Sequence, residues 1–222
     1  MKKDHVMRRS VLTLMLCSGL AFAPPHGHAA AASTKPTSKM TDIQPILIGN
    51  RPVTVHPTGF PPVTITPFWR ENGNAWGYTL YAVSTPDTEQ PDRTTLVGTE
   101  DADHNGQLLD MVQDIPHTGE DALQTIHFAS GHVNGKPALL LFVSTRDNGT
   151  NPVPQLSPAH IRIYQLTKGD GEPGSTLFYF ALRTTLQSPV TTCHADIALS
   201  AATKIPFAKW NGDQEPVPTC LQ

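Results

Sequence analysis

The stretch that decides the fold is QTIHFASGHVNGKPALLLFVST, residues 124–145. Its two apolar runs are separated by Asn134 and Gly135, residue types that adopt the positive φ angles of a tight two-residue hairpin turn. Residues 138–143 are apolar without alternation, as expected of a strand that is covered on both faces. The sequence therefore predicts a β-hairpin whose second strand is central in a sheet.

Shorter segments on both sides of the hairpin also have the composition of strands. Residues 62–69 and 76–83 flank a break, and residues 160–166 are expected to pair with residues 176–182 across a loop rich in Gly, Asp and Pro. Closely spaced strands of this kind predict a mainly β protein, either an antiparallel β-sandwich or a barrel-like sheet. One short C-terminal helix is predicted at residues 195–202, where it would cover an open edge of the sheet.

Residues 1–30 have the pattern of an export signal peptide. Four basic residues open this segment: Lys2, Lys3, Arg8 and Arg9. The apolar run that follows, residues 11–23, is too short to span a bilayer comfortably, and small residues near Ala30 suit a signal peptidase. We expect a periplasmic or secreted protein, exported by the general or the twin-arginine route, with a membrane anchor as the alternative.

The rest of the chain is expected to form one domain behind a leader. Residues 31–60 begin with small polar residues and proline, which favour a flexible leader. Residues 61–222 contain most of the predicted strands and are predicted to be a single β-rich domain, because the mature chain is long enough for one hydrophobic core and not obviously for two.

The cysteine count agrees with export. One of the three cysteines lies in the signal, which leaves Cys193 and Cys220 in the mature chain. Two cysteines in an oxidising compartment have a single possible pairing, so the sequence predicts one disulfide rather than two free thiols or a metal pair.

The charge of the chain limits the classes of partner. The net charge of −3 becomes about −6 once the signal, which carries four Lys/Arg and one Asp, is removed. The remaining basic residues are scattered singly, so we expect no binding to nucleic acid or to anionic membrane surfaces. We also expect no transmembrane segment in the mature chain, whose apolar runs are short.

EDADHNGQLLD, residues 100–110, has the spacing of a metal loop. Asp101, Asp103 and Asn105 alternate before Gly106, and this pattern resembles the calcium loops of EF-hands, dockerins and some β-propeller repeats. Such a loop needs a bidentate carboxylate at its twelfth position, where this chain has Val112. We therefore expect weak or no calcium binding and no other cofactor, and the alternative interpretation is a hairpin turn between residues 94–99 and 108–112.

Aromatic residues near the break between two predicted strands suggest a second kind of site. Trp76 and Tyr78 alternate on one strand and share a face, and Trp69 lies across the turn. Coplanar aromatic rings stack on sugars in carbohydrate-binding β-sandwiches, whereas aromatics at this period also pack in cores. These three residues are the candidate ligand-binding residues.

Signals for catalysis are weak. The sequence contains no Gly-x-Ser-x-Gly elbow, no His-Glu-x-x-His and no phosphate-binding glycine loop. Glu120 and Asp121 could be half of a glycosidase pair, although neighbouring acids before a strand are usually just solvated. We therefore expect an exported non-catalytic interaction module or accessory subunit of a periplasmic or extracellular complex, whose partner is another exported protein. The alternatives are a carbohydrate-binding module and a small secreted hydrolase with an unfamiliar site.

Overall fold

The structure is a computed structural model that describes residues 39–71, 77–90, 92–104, 106–116, 122–147, 155–171 and 176–207. In chain order its elements are β1 (Met40–Ile46), β2 (Val53–Val55), β3 (Val63–Arg70), β4 (Tyr78–Pro86), β5 (Thr94–Leu96), β6 (Gly98–Glu100), β7 (Leu108–Leu109), β8 (Met111–Gln113), β9 (Ile115–Pro116), β10 (Ala122–Val133), β11 (Lys136–Arg146), β12 (Ala159–Lys168), β13 (Phe178–Gln187) and α1 (Ala195–Thr203). In the part of the chain that the structure describes, no helix is long and apolar enough to cross a membrane.

The strands form two open sheets. The larger sheet has eight strands in the order β1-β10-β11-β12-β13-β6-β7, with β9 also paired to β10. The smaller sheet has five strands in the order β2-β3-β4-β5, with β8 also paired to β4. Neighbouring strands are antiparallel except β13 and β6, which run parallel. The protein is therefore mainly β, as predicted, and because neither sheet closes, the barrel-like alternative is wrong.

The main hydrophobic core lies between the two sheets. Its buried residues include Ile65 of the smaller sheet and Phe128, Leu141 and Phe180 of the larger sheet. The rings of Phe128 and Phe180 meet edge to face, with centroids 6.1 Å apart. Burying one such side chain stabilises the fold by about 1.5–3 kcal/mol, which is why the alternating apolar residues of both sheets face this layer.

The predicted helix is confirmed, but it does not cover a sheet edge. Leu199 of α1 packs with Leu140, Phe142 and Ile163 on the second face of the larger sheet. The helix contacts β10, β11 and β12, which are inner strands. Because β11 carries apolar side chains on both of its faces, the face opposite the main core also has to be buried.

The hairpin of β10 and β11 is confirmed at its turn. Asn134 and Gly135 have φ angles of 50° and 76°, and Val133 pairs with Lys136. Asn134 also fixes the start of the described chain, because its N–H donates to the Lys39 carbonyl at 2.8 Å and its side-chain oxygen accepts from the Lys39 N–H at 3.1 Å. The predicted pairing of β12 with β13 is likewise present.

Two segments of the range predicted as a flexible leader, residues 31–60, belong to the sheets. Met40–Ile46 pairs with β10 and Val53–Val55 pairs with β3, so the folded domain includes both segments. Each of these strands is at the edge of its sheet, where one side of the strand stays accessible. Edge strands tolerate polar residues and proline, so the composition of these segments did not predict strands.

A buried arginine holds the segment before α1 against the larger sheet. The Arg146 guanidinium donates to the carbonyl oxygens of Thr192 at 2.8 Å, Cys193 at 2.6 Å and Gln155 at 2.6 Å. His194 then caps the helix, because its Nδ1 accepts the Asp196 N–H at 3.2 Å. These bonds pair polar backbone groups around a segment in which Thr192, Cys193 and His194 are buried.

Candidate functional site

The smaller sheet has one face against the core and the other directed to solvent. Side chains alternate along a strand, and Ile65, Val83 and Val112 mark the core face because they belong to the main hydrophobic cluster. The intervening residues point the opposite way, together with their cross-strand partners. This outer face comprises Thr54, Thr64, Thr66, Phe68, Arg70, Tyr78, Leu80, Ala82, Ser84, Pro86, Thr94, Leu96, Met111 and Gln113.

The centre of the outer face is apolar and accessible. Phe68, Leu96 and Met111 are 50%, 48% and 48% exposed. Phe68 pairs with Leu80, and Ala82, the next residue of β4 on this face, pairs with Met111. These side chains therefore form one patch across β3, β4 and β8. Contiguous exposed apolar surface of this kind marks interaction sites in monomeric proteins.

The outer face is also depleted of charge. Arg70 is the only charged residue among those that form it, and its guanidinium lies 5.8 Å from the centroid of the Tyr78 ring. The threonines at the far end of β3 form a polar margin, where the hydroxyls of Thr54 and Thr64 are 2.9 Å apart. An apolar centre, few charges, aromatic and methionine side chains and a polar margin are the composition of protein interfaces.

The predicted aromatic platform does not form from Trp69 and Tyr78. Trp69 pairs with Thr79 and Tyr78 pairs with Arg70, so the two rings lie on opposite faces of the β3–β4 hairpin. Trp69 is 64% exposed, and its indole lies against Gly77, where a Cβ atom would overlap the ring. Trp76 lies outside the described residues. Of the three, Tyr78 is on the outer face.

The loop proposed for calcium uses its carboxylates within the protein. Asp101 Oδ1 accepts the N–H of Asp103 at 2.9 Å, and Asp101 Oδ2 lies 2.8 Å from Nδ1 of His104. Both oxygens of Asp103 accept from Arg162, at 2.7 and 3.1 Å. The bonds from the Asp103 N–H and His104 hold the pKa of Asp101 below its usual value. Asn105 lies outside the described residues.

The hairpin-turn interpretation of this loop is confirmed next to the turn, where β6 pairs with β7. The flanking strands β5 and β8, which the sequence assigned to the same hairpin, pair with β4 in the smaller sheet instead. Glu100 pairs with Leu108, and Gly106 has a φ of 79°. Within the described ranges no group of three or more His, Cys, Asp or Glu residues is placed to hold a metal ion. Weak or absent calcium binding stays a prediction, because the described part of the loop leaves Asn105 out.

The remaining residues that the sequence singled out are only partly described. Cys193 is buried just before α1, whereas Cys220 lies outside the described residues, so the disulfide stays a prediction. Glu120 and Asp121 also lie outside them. Two histidines of β10, His127 and His132, are five residues apart and therefore lie on opposite faces of the strand: His127 pairs with Phe142 and His132 with Pro137.

A buried carboxyl group that was not predicted from the sequence lies at the outer edge of β10. Asp114 Oδ1 accepts the N–H of Ile126 at 2.9 Å, and the Tyr81 hydroxyl lies 3.5 Å from Oδ2. Burial raises the pKa of Asp114 to about 7. The signal in the sequence is its position two residues after the core-facing Val112, where the alternation of β8 directs the next side chain into the protein.

A second buried carboxyl group lies on the helix side of β10. Nε2 of His127 is 2.7 Å from Asp196 Oδ1. Burial disfavours ionisation of Asp196, yet the hydrogen bond and charge of His127 hold its pKa below the usual value. The His127 ring packs against Phe207 with centroids 5.0 Å apart. These contacts are internal and join the larger sheet to α1, which is a structural role.

Comparisons with known proteins extend only to the fold. No protein-family model and no curated protein matches the chain. A solved structure titled "Crystal structure of CarG" is similar to it, with a TM-score of 0.59 and 9% sequence identity over 75% of this chain and 99% of that chain. At this level of identity the similarity shows a shared fold alone.

Proposed function

We propose that this protein is an exported, non-catalytic interaction module, an accessory subunit of a periplasmic or extracellular complex. The observation that supports the proposal is the outer face of the smaller sheet, where Phe68, Leu96 and Met111 are about half exposed at the centre of a surface with one charged residue. Burial of these side chains against a partner would remove apolar surface from water, which is the main driving force of protein association.

The proposed partner is another exported protein with a flat, apolar and uncharged patch. A charged side chain placed opposite Phe68 or Met111 would lose its hydration without gaining an ion pair, which is unfavourable. Arg70 lies at one end of the outer face and suits a carboxylate at the margin of the partner's patch. The chain's scattered basic residues and negative charge disfavour nucleic acid and anionic membranes as partners.

Export is part of the same proposal. Residues 1–30 supply the signal pattern, and the mature chain would be an antiparallel β-sandwich closed by a Cys193–Cys220 disulfide. In the described part, Cys193 is held close to the larger sheet, because its carbonyl accepts a hydrogen bond from Arg146. A bridge from this position would fasten the C-terminal segment to the sandwich and would resist the conditions of an extracellular compartment.

The proposal is tested on native gels of the host envelope fraction, where the protein should migrate with a larger complex. Leu96→Lys and Met111→Lys each place a charge at the centre of the outer face, and we expect either to release the protein from that complex. Both positions are exposed, so the thermal unfolding temperature of the isolated variants should stay close to wild type.

The matched control is Leu177→Lys. Leu177 is 49% exposed and lies just before β13, outside the outer face, so this variant should stay in the complex. Migration of the wild type as a lone monomer would contradict the proposal. Equal release of the Leu177→Lys variant from the complex would also contradict it, because the added charge alone would then explain the release.

A carbohydrate-binding module is the second candidate, supported by the 64% exposure of Trp69. One exposed indole can stack on a sugar ring. Tryptophan fluorescence titrated with soluble polysaccharides tests this candidate, with Trp69→Ala as the variant that should lose the response. Saturable binding that requires Trp69 but tolerates Met111→Lys would favour the carbohydrate function over the protein partner.

A further inference from the structure

A cavity opens at the end of the sandwich where the β10–β11 hairpin turns. Its volume is about 330 Å³, at the lower end of the range of small-molecule sites. Ile46, Val55 and Leu139 give it apolar walls, and these three side chains also belong to or border the main hydrophobic core. The cavity is therefore a continuation of the core that solvent can reach.

Three polar side chains line the same cavity: His56, Thr58 and Ser130. All three belong to exposed residues, so they lie at the mouth rather than at the floor. Ser130 follows the core residue Phe128 by two positions on β10. Its side chain is therefore on the same face of the strand and points toward the space between the sheets. Among the residues that the structure describes, no charged side chain lines the cavity. Apolar side chains with a few hydrogen-bonding groups at one end are the usual lining of a small-molecule site.

Both sides of the mouth are held in place by contacts that are independent of any ligand. On one side, the turn after β2 is closed by the Phe60 N–H, which donates to the Pro57 carbonyl at 3.1 Å. The Phe60 ring is anchored edge to face on Phe178, with centroids 5.8 Å apart. On the other side, the hairpin turn is tied to the start of β1 by the two hydrogen bonds between Asn134 and Lys39. A preformed site lowers the entropic cost of binding.

We propose that this cavity binds a small uncharged amphiphile, with an aliphatic or cyclic body against Leu139 and one hydroxyl, carbonyl or amide group facing His56 and Ser130. Water filling 330 Å³ amounts to roughly ten molecules, and the apolar walls offer hydrogen bonds to none of them. Their displacement by an apolar body favours binding. A charged head group is disfavoured because none of the described lining residues offers it an ion pair.

This binding site is separate from the surface of the proposed function. The cavity is lined by β1, β10, β11 and the segment from Val55 to Thr58, and none of these residues is on the outer face. A ligand there and a partner protein on the outer face would therefore bind to different parts of the molecule, and failure of one proposal leaves the other standing.

Amide chemical shifts of the mature, isotope-labelled protein test the proposal, with 1-hexanol, hexanoate and hexylammonium as probes of equal chain length. We expect 1-hexanol to produce saturable shifts at Gly131, Leu139 and the residues after β2, with dissociation constants at least tenfold weaker for the two charged probes. Absence of saturable shifts up to the solubility limit of 1-hexanol would overturn the proposal. Equal binding of all three probes would overturn the assignment of an uncharged ligand.

Two variants separate this cavity from binding elsewhere. Ser130→Trp places a bulky ring in the mouth at an exposed strand position, and it should abolish the 1-hexanol shifts. His56→Ala should keep the fold and weaken the binding of 1-hexanol at least threefold. His160→Trp, at an exposed position of β12 outside the cavity, is the matched control and should bind as the wild type does. Shifts that persist unchanged in Ser130→Trp would place the binding elsewhere and overturn the proposal.

Discussion

The carboxylate of Asp114 replaces a missing strand beside Ile126, whose N–H it accepts at 2.9 Å. Along the outer edge of β10, strand β9 pairs with Ala122 and Gln124, and β1 pairs from Phe128 onward. Ile126 lies between these two stretches, so its N–H would be buried without a backbone partner. A side chain from the segment between β8 and β9 supplies the acceptor, and an unsatisfied buried donor is thereby avoided.

Because the Asp114 carboxyl is buried, we expect the free energy of unfolding to fall as the pH rises from about 4 to about 7. Burial raises the pKa of Asp114 to about 7 in the folded protein, whereas an aspartate in the unfolded chain ionises near 3.9. The folded state therefore holds its proton more tightly, and the stability present below pH 4 is lost progressively up to about pH 7. The loss is on the order of 2–4 kcal/mol.

Urea unfolding between pH 3 and 8.5 measures this dependence, and Asp114→Asn is the informative variant. The amide oxygen of Asn can still accept the Ile126 N–H but does not ionise, so the decline toward neutral pH should flatten. Asp196 has the opposite effect on the free energy of unfolding. Its lowered pKa stabilises the fold above about pH 4, and that stability is lost as the pH falls through the lowered pKa. An equally steep decline in the Asn variant would show that another group is responsible.

Replacement of Arg146 should be severely destabilising. Arg146→Met removes the donors to the carbonyls of Thr192, Cys193 and Gln155. The buried segment before α1 thereby loses three hydrogen bonds to a charged group, which should cost about 3 kcal/mol or more. Arg146→Lys should recover little, because an ammonium group cannot reproduce the planar fork of the guanidinium. The control is Arg183→Met on β13, where the guanidinium bonds the side chains of Gln165 and Thr167. A similar loss of unfolding free energy in that variant would contradict the special role of Arg146.

The turn at Gly106 should contribute more to the stability of the protein than any metal bound to its loop. Gly106 has a φ of 79° and open space around it, so Gly106→Val should destabilise by about 1–2 kcal/mol through backbone strain alone. Gly49→Val is the matched control, because Gly49 also has open space but no positive φ. Asp101→Asn should change stability little. Thermal unfolding in EDTA and in calcium checks both claims, and a large calcium-dependent stabilisation lost in Asp101→Asn would show that the loop is a metal site.

Because Trp69 packs on Gly77, we expect substitutions at these two positions to have non-additive effects on the free energy of unfolding. Gly77→Ala would drive a Cβ into the indole, and we expect a loss of about 1–3 kcal/mol, typical of overpacking. In a Trp69→Ala background the same change should cost much less, so a double-mutant cycle on unfolding free energies should show a coupling energy. Additive effects of the two substitutions would mean that the indole moves aside without cost.

The proposed export makes a prediction about processing and redox state. The mature protein should begin near residues 30–32 and contain a Cys193–Cys220 bridge, because these are the only cysteines left in an oxidising compartment. Intact mass with and without reductant, followed by alkylation, measures both. Two alkylatable thiols in the unreduced native protein would exclude the bridge.

Part of the candidate site was accessible from the sequence. The composition of residues 62–69 and 76–83 identified β3 and β4, and alternation along the second segment placed Trp76 and Tyr78 on one face. It could not pair Trp69 correctly with that face, because the register across the β3–β4 turn determines which residues are opposite each other. The hairpin turn at Gly106 was identified because its chemistry is local, whereas the bidentate bond from Arg162 to Asp103 joins residues far apart in the chain.

The sequence by itself determined the mainly β class, the Asn134–Gly135 hairpin and the central position of β11, because turn preference and the period of apolar residues act over a few neighbouring positions. Only the tertiary structure decided which face of the smaller sheet is buried. Val63 and Ile65 face the core and Phe68 faces solvent, although all three are apolar, because burial depends on where the larger sheet lies. The same packing buried Asp114, whose raised pKa follows from its surroundings and not from its neighbours in the chain.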